Sequence, residues 1–485
     1  MDRILTRATP ESVGIPSAAV VALVDELERS AHGVHSLVIV RHGVVAAEGW
    51  WAPNRAGFRQ MLYSLTKSFT STAVGLAIAE GRFTLDDQVI AFFPGKAPAE
   101  PGSNLAAMKV RHLLTMSAGH SEAVVGQILR FFTNDWVKTF FSLPVEYEPG
   151  SRFVYSSAAS HILSAIVQET TGQRLADYLR PRLFEPLGFE TPAWEEDPQG
   201  INTGGFGLMI RTEEIAAFGQ LYLRKGAWGG RQLIDPAWVE AATSRRIDNS
   251  PADRPDWEQG YGYQFWRSRH GFRGDGAFGQ YCLVIPEHDL VVAVTSGIEP
   301  MGQILEAMWS VLLPALRPDA LAEDPAAHDA MERRLLDLHY DPRHGASSGP
   351  LEKDLAEATF RCDRNRFGFE TLRFEFAPDR GALEVTRSND RPPARLEFGR
   401  GAWQMDGSDI LPEWSGLPLA VSGAWPQSGR FELDVNAPST PFRYLLAFDT
   451  DGTSLMLSLS VNLSFGATNL GTVAATRTTG REVHD

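Results

Sequence analysis

The chain has 485 residues, of which 43% are hydrophobic and 22% are charged, so its composition is that of a folded globular protein with room for two or three domains. A formal net charge of −15 argues against nucleic acid or an anionic membrane surface as a partner. Because no apolar run approaches the ~18 residues of a membrane span and the N-terminus lacks a signal-like stretch, we expect a cytoplasmic protein. The two cysteines are too few for a disulfide framework or a cysteine metal site.

The predicted elements begin with an amphipathic helix over residues 17–28, followed by two apolar β-type runs that meet at Gly43 as a hairpin. From residue 62 to about residue 313 the pattern is mainly helical, until strands return at YGYQFW, QYCLVIP and LVVAVTSG. An order of strands, helices and strands predicts a sheet domain with a helical insertion.

The segment DPRHGASSGPLEKD, residues 341–354, concentrates Pro, Gly and Ser and is typical of a linker. Beyond it lie short alternating runs such as LRFEF, FELDV and SLMLSLSV, which predict an all-β barrel or sandwich. We therefore expect a first domain over residues 1–340, a linker over 341–354 and a β domain over 355–485.

Two short motifs that are typical of functional sites occur where the surrounding sequence does not fit those sites. Gly274, Gly276 and Gly279 form G-x-G-x-x-G, but they precede a β-like run rather than a helix, which argues against a dinucleotide site. Ser347 lies in G-x-S-x-G within the proposed linker, where no strand-to-helix turn could make it a nucleophile elbow.

Ser64 and Lys67 form S-x-x-K at the start of a predicted helix that ends at Gly81. The spacing of three residues places both side chains on one face, and the helix N-terminus favours a developing alkoxide and a neutral lysine. A desolvated lysine is a plausible base for an otherwise unreactive serine. The alternative is an N-cap serine beside a solvated surface lysine.

Residues from about 10 to 315 resemble the β-lactamase-like serine hydrolases, the family of class C β-lactamases and of esterases and amidohydrolases of the penicillin-binding-protein type. The segments that carry the resemblance follow one another in family order: MLYSLTKSFTSTAVGLAIAEGRFTLDDQV, VRHLLTMSAGH, EPGSRFVYSSAASHILSAIVQETTG, INTGGFGLMIRTEEIAAFGQLYLRKG and GAFGQYCLVIPEHDLVVAV. The resemblance implies an α+β fold of the β-lactamase/transpeptidase type, in which helices flank an antiparallel sheet and a helical subdomain is inserted.

The resemblance also implies roles for individual residues. Ser64 would be the nucleophile, Lys67 its activating partner and Tyr155 the phenol that carries a proton to the leaving group. A phenol titrates near ~10 in water, and a neighbouring cation such as Lys67 would bring it into a useful range. The backbone N–H groups of Ser64 and Gln280 would form the oxyanion hole.

The chain departs from the family pattern at two motifs. Ser157 stands where many members have the asparagine of Y-x-N, and Ala277, Phe278 and Gly279 stand where K-T-G or H-x-G is common. The candidates for the substrate site are therefore Ser157, Phe278 and Gly279. Ser157 lacks the amide group that would bind an amide substrate, and the turn at 277–279 lacks the cation that would face a β-lactam carboxylate. Arg273 either replaces the missing charge or is a solvated loop residue, and the usual exposure of arginine favours the second interpretation.

Aromatic residues between positions 131 and 141 could line an acyl pocket, although helical spacing favours core packing. The residues concerned are Phe131, Phe132, Trp136, Phe140 and Phe141. His112 and His161 lack metal-ligand spacing, so we expect neither metal nor cofactor.

These residues predict a serine hydrolase for a small-molecule ester, with an amidase or D-amino-acid peptidase second and a β-lactamase third. Two non-enzymatic alternatives remain: a binding protein that keeps the penicillin-recognition fold, and a lipocalin-like β domain attached to a vestigial hydrolase. The sequence does not indicate an oligomeric state.

Overall fold

The computed structural model describes residues 4–122, 134–190, 192–252, 254–388 and 392–478. Contacts divide the chain into two compact units. The first comprises Met1–Trp50 and Ala56–Asp337, and the second comprises Trp51–Arg55 and Leu338–Asp485.

The strands of the first unit are β1 Val34–Arg41, β2 Val44–Trp50, β3 Gln60–Met61, β4 Ala193–Trp194, β5 Leu208–Ile210, β6 Ala227–Trp228, β7 Arg231–Gln232, β8 Trp266–Arg267, β9 Phe272–Gly276, β10 Gln280–Ile285 and β11 Leu290–Ser296. Its helices are α1 Ser17–Ser30, α2 Thr66–Ala79, α3 Ser103–Ala107, α4 Val110–Leu114, α5 Trp136–Ser142, α6 Ser157–Thr171, α7 Leu175–Leu179, α8 Glu185–Leu187, α9 Thr212–Leu223, α10 Pro236–Thr243, α11 Gly302–Ala307, α12 Leu313–Ala315 and α13 Pro325–Leu336.

Six strands form the main sheet in the order β2-β1-β11-β10-β9-β8, with antiparallel pairing throughout. β1 and β11 are buried along their whole length, because their runs of Val, Ile and Leu lie at the centre of the sheet. α9 packs across β1, β10 and β11. The predicted hairpin at Gly43 is confirmed.

The strand predicted at YGYQFW is largely wrong, because only its last residue, Trp266, enters a strand. The sheet instead gains β9, whose sequence FRGDG lacks the apolar alternation of a half-buried strand. β9 holds the first two glycines of the G-x-G-x-x-G pattern and Gly279 lies in the turn to β10, so the pattern forms a hairpin and opens no helix.

The helical insertion between β2 and β8 is confirmed, and α2 lies near its centre against α6. α2 is buried on nearly every side, whereas its sequence predicts burial of one apolar face only. Its Ser, Thr, Ala and Gly side chains are small enough for neighbouring elements to approach closely. At Gly75, for example, a Cβ atom would lie 2.4 Å from the ring of Trp238.

The second unit is a barrel. It contains helix α14 Glu352–Ala356 and strands β12 Thr359–Cys362, β13 Phe369–Phe376, β14 Arg380–Arg387, β15 Ala394–Arg400, β16 Gln404–Asp406, β17 Leu419–Gln427, β18 Arg430–Asn436, β19 Arg443–Thr450, β20 Ser454–Val461 and β21 Asn469–Arg477. Pairing of β15 with β17 closes a ring around an apolar core, and β16 pairs with β17 outside that ring. Of the two predicted β architectures, the barrel is the one observed.

Residues 341–354 belong to this second unit and differ from a free linker. The backbone N–H of Arg343 donates to Ser422 Oγ (3.1 Å), and Ala346 pairs with Trp425 on β17. Gly349 lies against the Trp425 ring, where a Cβ atom would come within 2.3 Å of it. Ser347 is exposed, and its carbonyl accepts hydrogen bonds from Arg400. In the described parts of the chain, no helix is long and apolar enough to cross a membrane.

Candidate active site

Ser64 lies in a 3-10 turn, Tyr63–Leu65, that runs directly into α2 at Thr66. Its side chain is half-buried. Tyr63 has a φ of +46°, a left-handed conformation that is rare for a residue with a large side chain and costs on the order of 1–3 kcal/mol. Such strain beside a half-exposed serine is typical of functional turns.

Lys67 is buried, with 1% of its surface exposed, so a solvated surface lysine is the wrong interpretation. Its Nζ lies 2.9 Å from Ser64 Oγ, 3.0 Å from Ser157 Oγ and 2.7 Å from the carbonyl oxygen of Gly205. Burial lowers the pKa of Lys67 to about 7, and the nearby charge of Asp275 opposes that shift. A large fraction of Lys67 is therefore neutral at neutral pH.

The three partners of Lys67 can accept three N–H donors from an ammonium, or two from a neutral amine whose lone pair faces the third partner. An uncharged amino group has two N–H donors and one lone pair. The Gly205 carbonyl can only accept, and Ser157 Oγ can accept the second N–H. The lone pair is then directed at Ser64 Oγ, where it can accept the hydroxyl proton.

Tyr155 precedes α6, and the centre of its ring lies 4.9 Å from Lys67 Nζ. Burial raises the pKa of Tyr155 above its ordinary value, and the hydrogen bonds with Ser64 and Trp266 only partly oppose this. Desolvation of the phenol is the largest influence on its pKa, so Tyr155 is harder to ionise here than in water, in contrast to the expectation that a neighbouring cation would make it easier. Tyr155 remains a protonated donor, which suits an acid better than a base.

Gln280 begins β10, and both β9 and β10 contact the turn that carries Ser64. The preceding residues Phe278 and Gly279 have φ values of +64° and +89°. At Gly279 a Cβ atom would lie 2.2 Å from Ser296 Oγ, so glycine is required there. Ser296 Oγ donates to the Phe278 and Gly279 carbonyls, and the Gln280 side chain donates to the Ser296 carbonyl at 2.6 Å. These bonds fix the turn that leads to the Gln280 backbone N–H.

The Phe278 ring is buried and meets the Tyr63 ring edge-on, with 5.5 Å between centroids. The turn expected to supply a cation in many family members therefore presents an aromatic side chain beside the nucleophile segment. Ser157, at the first position of α6, contacts Lys67 directly.

Arg273 is not a solvated loop residue. It lies on β9 with 0% of its surface exposed, because its guanidinium is held by protein groups on several sides. Its Nε donates to Asp275 Oδ2 at 2.9 Å and its Nη1 to the Asp256 carbonyl at 2.9 Å. The paired Asp275 carboxylate balances this positive charge.

Sequence reasoning missed Gly205, whose carbonyl holds Lys67. A Cβ atom at this glycine would lie 2.6 Å from the Ser157 carbonyl and 2.9 Å from Ser157 Cβ. The signal in the sequence was the Gly204-Gly205 pair, because adjacent glycines often mark a close approach of backbones.

Replacing Gly205 with Ala is expected to lower kcat/KM at least ~10-fold, because the added methyl group displaces the carbonyl that orients Lys67. Gly95→Ala is the matched control, since nothing lies within 4 Å of its added Cβ. Steady-state kinetics on both variants checks this expectation. Equal activity in the two variants would show that the Gly205 carbonyl has no influence on the site.

The remaining candidates are the aromatic residues between positions 131 and 141 and the two histidines, and those described contact other protein groups. Phe140 and Phe141 belong to the hydrophobic core, in agreement with the core interpretation, whereas Phe131 and Phe132 lie outside the described residues. His161 Nε2 lies 3.1 Å from Asp197 Oδ2, and His112 caps α4. Among the residues that the structure describes, no three His, Cys, Asp or Glu side chains are grouped as a metal site would require.

The sequence and the fold of the first unit are similar to those of known proteins. Residues 8–315 match the sequence model of the Beta-lactamase family. The 6-aminohexanoate-dimer hydrolase of Paenarthrobacter ureafaciens is 26% identical over 319 residues, which cover 60% of this chain and 79% of that protein. A provisionally named D-alanyl-D-alanine carboxypeptidase of Escherichia coli (strain K12) is 24% identical over 217 residues, or 38% of this chain. The match spans 49% of that carboxypeptidase, about half of its length.

Two solved structures share the fold. A provisionally named 6-aminohexanoate-dimer hydrolase from Bacillus anthracis superposes with a TM-score of 0.51 at 20% identity, covering 60% of this chain and 80% of that one. EstCE1, a hydrolase with promiscuous acyltransferase activity, superposes with a TM-score of 0.50 at 18% identity, covering 61% of this chain and 98% of that one.

Proposed function

Because the chain belongs to the beta-lactamase family, we propose that it is a serine hydrolase that cleaves carboxylic esters through an acyl-enzyme on Ser64. The observation that carries this proposal is the distance of 2.9 Å between Lys67 Nζ and Ser64 Oγ, inside a site that lowers the pKa of Lys67 to about 7. A serine becomes a nucleophile when a base is positioned to accept its proton.

In the proposed reaction, neutral Lys67 accepts the Ser64 proton while Ser64 Oγ bonds to the ester carbonyl carbon. The backbone N–H groups of Ser64 and Gln280 stabilise the charge that develops on the carbonyl oxygen. When the C–O bond breaks, Tyr155 donates its proton to the departing alcohol and is reprotonated from the Lys67 ammonium. Water then attacks the acyl group, and the same transfers in reverse release the acid and restore Ser64.

Two features support an ester over an amide or a β-lactam. Ser157 contacts Lys67 but has no amide group to bind the carbonyl of an amide substrate. The turn before Gln280 has Ala277 at the position of the cation that would pair with a β-lactam carboxylate, and the neighbouring Phe278 adds an aromatic ring beside Tyr63. An apolar site without that cation suits a neutral ester.

Amide hydrolysis is the second candidate, because two relatives are named as a dimer hydrolase of 6-aminohexanoate and as a D-alanyl-D-alanine carboxypeptidase. The β-lactamase and the two binding-protein alternatives come after it. The arrangement of Ser64, Lys67 and Tyr155 favours a catalyst over a binding protein.

A panel of substrates tests the proposal. Wild type and Ser64→Ala are assayed with nitrophenyl esters of graded chain length, a D-aminoacyl amide and a chromogenic cephalosporin. We expect the esters to have the highest kcat/KM and the variant to be inactive on all of them. A cephalosporin or amide as the best substrate would overturn the ester preference.

Replacing Ser157 with Asn is expected to raise the ratio of amide to ester kcat/KM about tenfold, because the longer side chain adds an amide N–H donor for the substrate carbonyl. The control Ser157→Ala removes the Lys67 contact without adding a donor, so both activities should fall together. Rates on an ester and an amide with the same acyl group give the ratio. An unchanged ratio in Ser157→Asn would show that this position does not select the substrate.

Replacing Tyr155 with Phe is expected to lower kcat/KM about 10²-fold or more for ethyl acetate, because an alkoxide leaves poorly without a proton. The loss should be far smaller for nitrophenyl acetate, whose leaving group is stable as an anion. Kinetics on the two acetates measures the difference. Equal losses on both would contradict the role of Tyr155 as the acid for the leaving group.

A further inference from the structure

Three half-buried aromatic side chains form a continuous patch at the proposed acid, and we define Phe153, Tyr155 and Trp266 as the aromatic patch. The Tyr155 and Trp266 rings stack at 5.4 Å between centroids. Phe153 meets Trp266 edge-on at 5.9 Å and lies 6.5 Å from Tyr155. All three retain some exposed surface, so the patch can contact a ligand.

The rings of the patch are packed against other protein groups, and Lys67 Nζ lies 4.9 Å from the centre of the Tyr155 ring at one end of the patch. Tyr261, which is 1% exposed, supports the patch from behind and meets the Trp266 ring edge-on at 4.9 Å. The Arg273 guanidinium lies 5.7 Å from the Trp266 ring centre and is paired with Asp275. A preorganised aromatic surface binds flat apolar groups well, because little side-chain freedom is lost on contact.

The position of the patch identifies the part of the substrate that it contacts. Under the proposed function, on which this inference rests, Tyr155 donates its proton to the alcohol oxygen of the ester. The group attached to that oxygen must therefore lie beside Tyr155, where Phe153 and Trp266 are the neighbouring rings. We propose that the substrates are esters of aromatic alcohols, and that Phe153 and Trp266 bind the aromatic ring of the alcohol.

Three acetates with alcohols of similar acidity test this inference: benzyl, cyclohexylmethyl and ethyl acetate. In wild type, kcat/KM is expected to be at least about tenfold higher for benzyl acetate than for either of the other two. In Phe153→Ala and Trp266→Phe this advantage should shrink several-fold, mainly through a higher KM for benzyl acetate. The control Phe465→Ala removes a ring that is 77% exposed in the second unit and should keep the wild-type ratios.

If a variant fails to fold, the wild-type protein alone still tests the inference, because its substrate preference and its competitive inhibition by benzyl alcohol can be measured without any substitution. Equal rates on benzyl and cyclohexylmethyl acetate would overturn the aromatic preference, and so would ratios unchanged in Phe153→Ala. These outcomes differ from failure of the proposed function itself, in which none of the acetates would be hydrolysed or Ser64→Ala would keep wild-type rates.

Discussion

Ser64→Ala is expected to lower kcat/KM for ester hydrolysis by about 10⁴-fold or more, to the residual level that binding and the oxyanion hole supply without a nucleophile. The substitution removes one oxygen atom from a half-buried position, so the fold and the pKa-shifting environment of Lys67 should be retained. Steady-state kinetics with nitrophenyl acetate, together with the melting temperature, measures both effects.

Ser71→Ala is the matched control for this experiment. Ser71 lies on α2 as a buried serine, and its Oγ has no hydrogen-bond partner among the described residues. Its removal should leave kcat/KM at the wild-type value. A loss of activity in Ser71→Ala as large as that in Ser64→Ala would mean that α2 is merely intolerant of substitution.

Lys67→Met is expected to lower kcat/KM by about 10³-fold, within the range that a positioned general base contributes. Methionine has a similar length and an apolar side chain that is readily accommodated in a buried position, but it cannot accept the Ser64 proton. Lys138→Met on α5 replaces an exposed lysine and should retain wild-type kinetics. Wild-type activity in Lys67→Met would exclude Lys67 as the base.

The assignment of Lys67 as the general base also predicts how kcat/KM of the wild type depends on pH. The active form of Lys67 is neutral, so log(kcat/KM) should rise with pH and reach a plateau above the pKa of about 7. The amine is an ammonium below that pH, and the ammonium has no lone pair for the Ser64 proton. A rise that continued to pH 10, the ordinary range of lysine, would show that burial has not lowered the pKa.

The sequence predicted the elements whose patterns are local. The Gly43 hairpin has apolar strands on both sides of a glycine turn, and the barrel strands alternate between apolar and polar residues. Ser64 and Lys67 could be paired in advance because one helical turn separates them, and the family resemblance added Tyr155.

Features that depend on distant contacts were not predictable from local pattern. β9 becomes a strand because β8 and β10 pair with it on both sides, although its own sequence lacks alternation. Arg273 is buried because Asp275 and backbone carbonyls receive its N–H groups. The raised pKa of Tyr155 likewise follows from burial among residues far away in the chain, which no spacing rule could reveal.

The formation of a covalent bond at Ser64 is the most direct test of the account. Wild-type protein is treated with a fluorophosphonate, which transfers its phosphonyl group to activated serines with loss of fluoride, and the modified peptide is mapped by mass spectrometry. We expect one adduct, located on Ser64, with loss of esterase activity in proportion to labelling. An adduct at another serine, or complete inactivation without modification of Ser64, would contradict the account.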